Sequence, residues 1–461
     1  MATVEEQDVG LDGFSGELLR PGDEGYDQAR RVHNGMIDKH PGLIARCRGV
    51  ADIVAAVNHA RDHGAEISIR GGGHNVAGRA VTEGGVMIDL SLMRGIQVDR
   101  AGHSVHAQGG VTWGELNRET QLHGLAVTGG TISTTGIAGL TLGGGLGWLM
   151  GKHGIAADNL LSAEVVTASG GVLTASETEN PDLFWALRGG GGNFGVVSSF
   201  EYRLHPVGPI VTGGLAIHPF SDAAAVLRFF RDFTAAGPDE LGVIGALIHA
   251  PDGSGMKLAA LVVCHVGSHS QAQEDLAELL AFGSPLDVQI GPMPYSMVNT
   301  LLDAGFPRGA LNYWKSSFLS ELSDAAIETT VAQFAKCTSS PMSAIVLEHL
   351  HGAVTRVPVD ATAVPHRSEG YDFLIVSEWM DPATTDDNLA WTRDAFSAMQ
   401  PFTANQLRYV NYLDEDDMGD DPARAAYGPN YEQLVQVKNA YDPANLFRMN
   451  TNITPTGPPL G

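Results

Sequence analysis

Arg70–Ala80 reads RGGGHNVAGRA, three consecutive glycines directly ahead of a histidine. The residues before it, AEISIR (65–70), alternate as a strand, and GGVMIDLSLM (84–93) after it is again strand-like. In a strand, glycine loop, strand arrangement, successive backbone N–H groups form an anion-binding concavity without help from a helix dipole. Glycine permits positive φ and lets a ligand press against bare main chain. An imidazole beside such a loop can hold, or be bonded to, whatever the loop admits. Taken alone, the stretch reads equally well as a glycine-rich turn with an incidental histidine.

A second glycine region, TGGTISTTGIAGLTLGGGLGWLMGKHG (128–154), also carries threonines. Two such loops converging suit a dinucleotide whose pyrophosphate is met by neutral N–H and hydroxyl donors. Gly190, Gly192 and Gly195 match G-x-G-x-x-G formally, but their order is helix, loop, strand. A nicotinamide site needs strand, turn, helix, so that reading fails. No G-x-x-x-x-G-K-[ST] occurs.

The chain has 461 residues, 57 of them glycine, about 12% against a usual ~7%. That length implies two or three domains. The net charge of −25 argues against nucleic acid or an anionic membrane surface as a partner. Cys47, Cys264 and Cys337 are scattered, with no C-x-x-C, which indicates neither a disulfide framework nor a zinc ribbon. The start, MATVEEQDVGLDGF, lacks a signal-peptide pattern and no apolar run reaches membrane length, so a cytoplasmic location is expected.

VADIVAAVNHARDHG (50–64) has helical spacing, and TWGELNRETQLHG (112–124) opens with Thr112 and Glu115 at capping-box spacing. LLSAEVVTASGGVLTAS (160–176) reads as a hairpin turning at Gly170-Gly171. Beyond about Pro206 strands and helices alternate, an α+β unit on an antiparallel or mixed sheet.

RGGGHNVAGRA together with GGTISTTGIAGLTLGGGLGWL, AADNLL, DLFWALRGGGGNFGVV and YDPANLFRMNTNI resembles the berberine bridge enzyme-like FAD-linked oxidases of the vanillyl-alcohol-oxidase-type superfamily. The resemblance runs from about Arg20 to the C-terminal region. It implies an α+β, two-domain FAD-linked oxidase. A discontinuous FAD-binding domain (1–206 and 413–461) would flank a substrate domain (207–412) built on an antiparallel sheet covered by helices. It further implies that His74 is bonded to the flavin 8α-carbon. Ile132 stands where many members carry a second, cysteinyl attachment, so one covalent link is expected. Carried over by motif, the FAD contacts are Arg70, Gly71, Gly72, Gly73, Asn75 and Gly78 in the first loop. Thr131, Thr134, Thr135, Gly136, Gly139, Gly143 and Gly144 follow in the second, Asp158, Asn159, Gly195 and Val197 on the adenine and ribose side, and Asn450 and Asn452 near the ring.

The resemblance implies oxidation of a small molecule at carbon, with hydride passing to the flavin and molecular oxygen as final acceptor. A dehydrogenase using another acceptor and a non-catalytic flavin binder are the alternatives. A base must come from the protein. Tyr412 leads, with Tyr409 on the opposite face if that segment is a strand, and Glu348 is the second candidate. Tyr313, Trp314 and Lys315, with His349 and His351, are candidate substrate contacts. The two histidines lack a third ligand, so no metal is expected. The substrate's identity and the oligomeric state are not encoded in any motif.

Overall fold

The structure is a computed structural model that describes residues 11–403, 407–414, 416 and 422–457. The acidic start read for targeting falls largely on residues 1–10, outside the described residues. The loop Arg70–Ala80 leaves an edge strand, Ile67–Arg70, of a four-stranded sheet ordered Glu17–Leu19, Leu43–Arg46, Val86–Asp89, Ile67–Arg70. Its last three strands run parallel. Helix Val50–Asp62 buries Ile53, Ala56, Val57 and Ala60 against this sheet, the one-sided pattern expected of that segment. Capping helix Trp113–Gln121, Thr112 donates its main-chain N–H to the Glu115 carboxylate at 2.9 Å, as the spacing predicts.

A second, antiparallel sheet follows, ordered Ile96–Asp99, Ser104–Gln108, Val196–Arg203, Leu160–Val166, Val172–Ser176. The expected hairpin is its last pair, with Gly170 at φ +80° in the turn. Helix Tyr431–Tyr441 packs Leu434, Val435 and Val437 into the same core. The C-terminal segment therefore returns to the glycine-loop domain, as a discontinuous domain requires.

The intervening chain builds a seven-stranded, wholly antiparallel sheet. Its order is Asp287–Pro294, Ile210–Pro219, Lys257–His265, Leu241–His249, Ala344–Leu350, Gly370–Trp379, Leu311–Leu319. Helices Ala223–Ala235, Asp324–Ala335 and Thr385–Met399 cover one face, closing a core around Phe230, Phe334, Phe373 and Trp391. The other face meets the glycine loops. There Val76 packs with Trp314, Leu374 and Val376, and Leu146 with Leu350 and Tyr409. This is a two-domain α+β fold with the loops held against the open face of the sheet.

Tyr409 and Tyr412 are not on a strand. Val410–Tyr412 is a single 3₁₀ turn, and the two rings meet edge-on at 4.9 Å instead of facing apart. A turn places residues three apart on one side, where a strand would separate them.

Candidate functional site

The two glycine loops converge. A Cβ on Gly72 would lie 2.3 Å from the Gly136 nitrogen, and one on Gly136 2.3 Å from the Gly72 nitrogen, so neither position admits a side chain. Gly73 (φ +71°) and Gly78 (φ +68°) take left-handed conformations. A Cβ on Gly78 would also strike Ile37 at 2.6 Å. Asn75 accepts the Arg79 N–H at 3.1 Å and braces the loop exit. Among the described residues, no N–H from Gly71 to Asn75 has an acceptor within the chain. A run of main-chain donors without acceptors suits an anion.

Helix Ile137–Leu142 follows Gly136 and exposes Gly139, with nothing within 4 Å of its would-be Cβ. Bare backbone, open space at Gly139 and the buried, unpartnered Asn452 side-chain oxygen all fit a long, phosphate-bearing, aromatic cofactor. Ser133 donates through its N–H (2.8 Å) and hydroxyl (2.6 Å) to Asp303, which ties the second loop to the sheet domain. Gly143 abuts the Asn411 side chain, and Gly144 (φ +117°) abuts Val364. The main-chain oxygen of Thr135 accepts from Trp113 at 2.9 Å, while Thr131 lies half-buried at the loop's start.

His74 projects between the loops. Its Nε2 lies 2.8 Å from the Thr134 hydroxyl, and its ring stacks on His33 at 3.9 Å. Burial, reinforced by His33, pulls the His74 pKa down to about 3, so the ring is neutral at physiological pH. Cys47, Cys264 and Cys337 are all buried, and the Cys264 core includes Trp148 and Leu149 from the end of the second glycine region.

Several residues assigned to the cofactor by motif are committed elsewhere. Arg70 is buried and gives its guanidinium to Asp89, at 3.0 Å from Nε, and to the main-chain oxygens of Ala29 and Arg31. It props the loop from beneath. Asp158 accepts both arms of Arg367, at 2.8 and 2.7 Å, and the Ile155 N–H. Asn159 bonds the main-chain oxygens of His153 and Ile155 and lies 2.6 Å from the His205 ring. Val197 is a core residue, and a Cβ on Gly195 (φ +157°) would strike Val165. Asn450 donates to the Gly192 carbonyl at 3.0 Å and closes the third glycine turn.

On the open sheet face, Tyr412 donates to Glu348 at 3.1 Å and meets Trp314 edge-on at 5.9 Å. Asp372 lies directly opposite Glu348 in the strand register, and its carboxyl finds no N–H or O–H donor. Two buried carboxyls so placed cannot both ionise. Asp372 is held protonated, its pKa well above the usual range through burial and then the Glu348 charge. Burial raises Glu348 to about 7. Tyr412 moves far upward for the same reasons, so its phenol stays protonated and donates. Tyr409 is anchored, its hydroxyl accepting from the N–H groups of Gly145 (2.8 Å) and Leu146 (3.2 Å) and from Asn411 (2.9 Å).

Strand parity turns Tyr313, Lys315 and His349 away from that face. Tyr313 and Lys315 share the helix-covered face, both bonded to Asp416, with Arg393 on the Tyr313 hydroxyl at 3.1 Å. His349 packs on Tyr371 and lines a separate cleft of about 420 Å³ on that side, while His351 stacks on it and reaches Gly151. His33, Asp303, Asp372 and Asn411 were missed. Each gains its meaning only from a partner distant in sequence. No group of three or more metal-ligating side chains exists among the described residues, and none of their helices is long and apolar enough to cross a membrane.

A double glycine cradle facing an acid-lined sheet defines an FAD-linked oxidoreductase, and comparison with known proteins agrees. Residues 41–176 match the FAD binding domain family and residues 408–454 the berberine and berberine-like family. The chain is 32% identical over 460 residues to (R)-6-hydroxynicotine oxidase of Paenarthrobacter nicotinovorans, covering 96% of this chain and 98% of that protein. It is 29% identical to an FAD-linked oxidoreductase of Dictyostelium discoideum, covering 96% of each. The crystal structure of 6-hydroxy-D-nicotine oxidase from Arthrobacter nicotinovorans superposes with a TM-score of 0.89 at 31% identity, over 97% of this chain and 99% of that one. A chitooligosaccharide oxidase, at 24% identity and TM-score 0.86 over 97% and 99%, shares the fold. The chain belongs to the berberine bridge enzyme-like FAD-linked oxidases.

Proposed function

We propose that this protein is an oxidase that takes a hydride from a carbon bearing an N–H or O–H, with FAD bonded to His74 alone. When bound, FAD would supply the hydride acceptor, with dioxygen as the final electron acceptor and hydrogen peroxide as its product. The N–H groups of Gly71–Asn75 would hold the pyrophosphate, and the neutral His74, oriented by Thr134, would present its other nitrogen for attachment. The carboxyl pair carries the reading. A base must be ionisable near neutral pH, and Glu348, at about 7, meets that condition while Tyr412 does not. Glu348 therefore takes the substrate proton, with the Tyr412 hydroxyl fixing its position. Trp314 forms an apolar wall beside them. Lys315 lies across the sheet, so the strand opposes no cation to an amine substrate. Likeness to a hydroxynicotine oxidase supports amines first and hydroxyl substrates second.

The test is anaerobic flavin reduction with a panel containing 6-hydroxynicotine, xylobiose, chitobiose and simple secondary amines. One panel member should bleach the flavin, and Glu348→Gln should slow that bleaching about a hundredfold or more. Bleaching at the parent rate in Glu348→Gln removes the assigned base. A flavin that no member reduces overturns the oxidase reading for these substrates.

A further inference from the structure

His33 lies 41 residues before His74 in a segment without a glycine-loop signature, yet its ring stacks on His74 at 3.9 Å with the planes 20° apart. Its own N–H donates to the Gly73 carbonyl at 2.9 Å, locking it to the loop that carries His74. The His33 side chain is 4% exposed, and its Nε2 is buried with no partner. Burying a histidine nitrogen without a hydrogen bond costs stability. The His33 ring is face-to-face with His74, which excludes a hydrogen bond between the rings and leaves stacking as the contact.

We propose that His33 is a positioning residue for flavin attachment, a stacking plate that holds the His74 ring at the angle the bond requires. The proposal rests on the histidyl-flavin reading above. Thr134 fixes one edge of His74 through Nε2, and His33 fixes the plane, leaving Nδ1 as the free nitrogen. In the attachment, His74 Nδ1 bonds to the 8α-carbon while one methyl C–H and the His74 N–H break. Two protons and two electrons leave, taken up by the isoalloxazine and then by dioxygen, the acceptor named above. The burial that lowers both histidines, His33 to about 4, keeps the nucleophile neutral.

The experiment follows attachment directly. Protein produced without flavin is mixed with FAD in air, and acid-precipitable flavin is measured against time, with total bound FAD measured in parallel. His33→Ala should bind FAD but attach it about tenfold or more slowly. His33→Phe, which keeps a stacking ring without nitrogens, should restore most of the rate. Attachment by His33→Ala at the parent rate overturns the proposal, as does a His33→Phe protein that binds FAD but is as slow as Ala. Parent protein whose flavin all stays in the acid supernatant overturns the histidyl reading itself, a distinct failure.

Discussion

At the scale of single residues, the site depends on placing groups where water cannot reach them. Glu348 and Asp372 face each other across two strands, and burial lifts the Glu348 carboxyl to about 7. The protonated Asp372 donates to Glu348 and so restrains its rise. Asp372→Ala should therefore move the Glu348 titration upward by about one unit, and Asp372→Asn, which keeps a donor, should leave it nearly in place. Infrared titration of the buried carboxyl C=O band in apoprotein reads this without a substrate; a downward move in the Ala variant would contradict the pairing. The same shift costs stability at alkaline pH. Unfolded Glu348 ionises near 4.5, while the folded group holds its proton until about 7. Its contribution is complete below about 4.5 and is lost as pH rises through about 7. Glu348→Gln apoprotein should melt a few degrees higher than the parent at pH 8 and equally at pH 4. Equal melting at pH 8 would show that the carboxyl is not held in its neutral form.

At the scale of elements, glycine does two different jobs, and substitution separates them. At Gly72 the loop needs the missing Cβ to touch Gly136, so Gly72→Ala should weaken the apoprotein and abolish FAD binding together. At Gly139 the fold needs nothing, since the helix leaves that side open. Gly139→Ala should stabilise the apoprotein by up to about 1 kcal/mol through helix propensity, yet reduce the melting-temperature gain on adding FAD. An unchanged gain would place the cofactor elsewhere. These loops were legible in the sequence because two glycine runs, each beside a strand, suit a dinucleotide when read together. Thr112–Glu115 and the Gly170-Gly171 hairpin were legible from local spacing. Face assignment was not. Alternation shows that Tyr313 and Trp314 point apart, but not which one the helices cover. Asp158 and Asn159 sit in a family motif yet bond to Arg367 and to nearby main chain, because a motif records position and not the partner that folding supplies. His33 and Asp372 carried no local signal, since a stacking ring and a carboxyl pair exist only once distant strands and loops meet.

At the scale of the whole molecule, the site exists because two domains close on each other, and polar contacts on several sides hold that closure. Ser133 with Asp303 ties the second loop to the sheet domain. Asn34 ties the segment before the first loop to it, donating to the Asn312 carbonyl at 2.9 Å and accepting the Asn312 N–H at 2.9 Å. Asp158 with Arg367 is the buried ionic link, the arginine side chain 1% exposed and the aspartate 10%. Removing one partner of such a pair strands the other charge, at a cost of about 3–5 kcal/mol. Arg367 also donates to Thr362, so the cation keeps one neutral acceptor when Asp158 is changed. Asp158→Asn should accordingly lower stability towards the smaller end of that range. The altered packing should reach the site through the turn carrying Tyr409, whose hydroxyl holds the Gly145 and Leu146 N–H groups. FAD binding would then weaken together with stability. Replacing both partners, as Asp158→Leu with Arg367→Met, should recover part of the stability because no charge is left unpaired. Urea unfolding of the three variants, with FAD titrations on each, tests the argument. A double variant less stable than Asp158→Asn would show that the pair itself, and not the stranded charge, sets the closure of the domains.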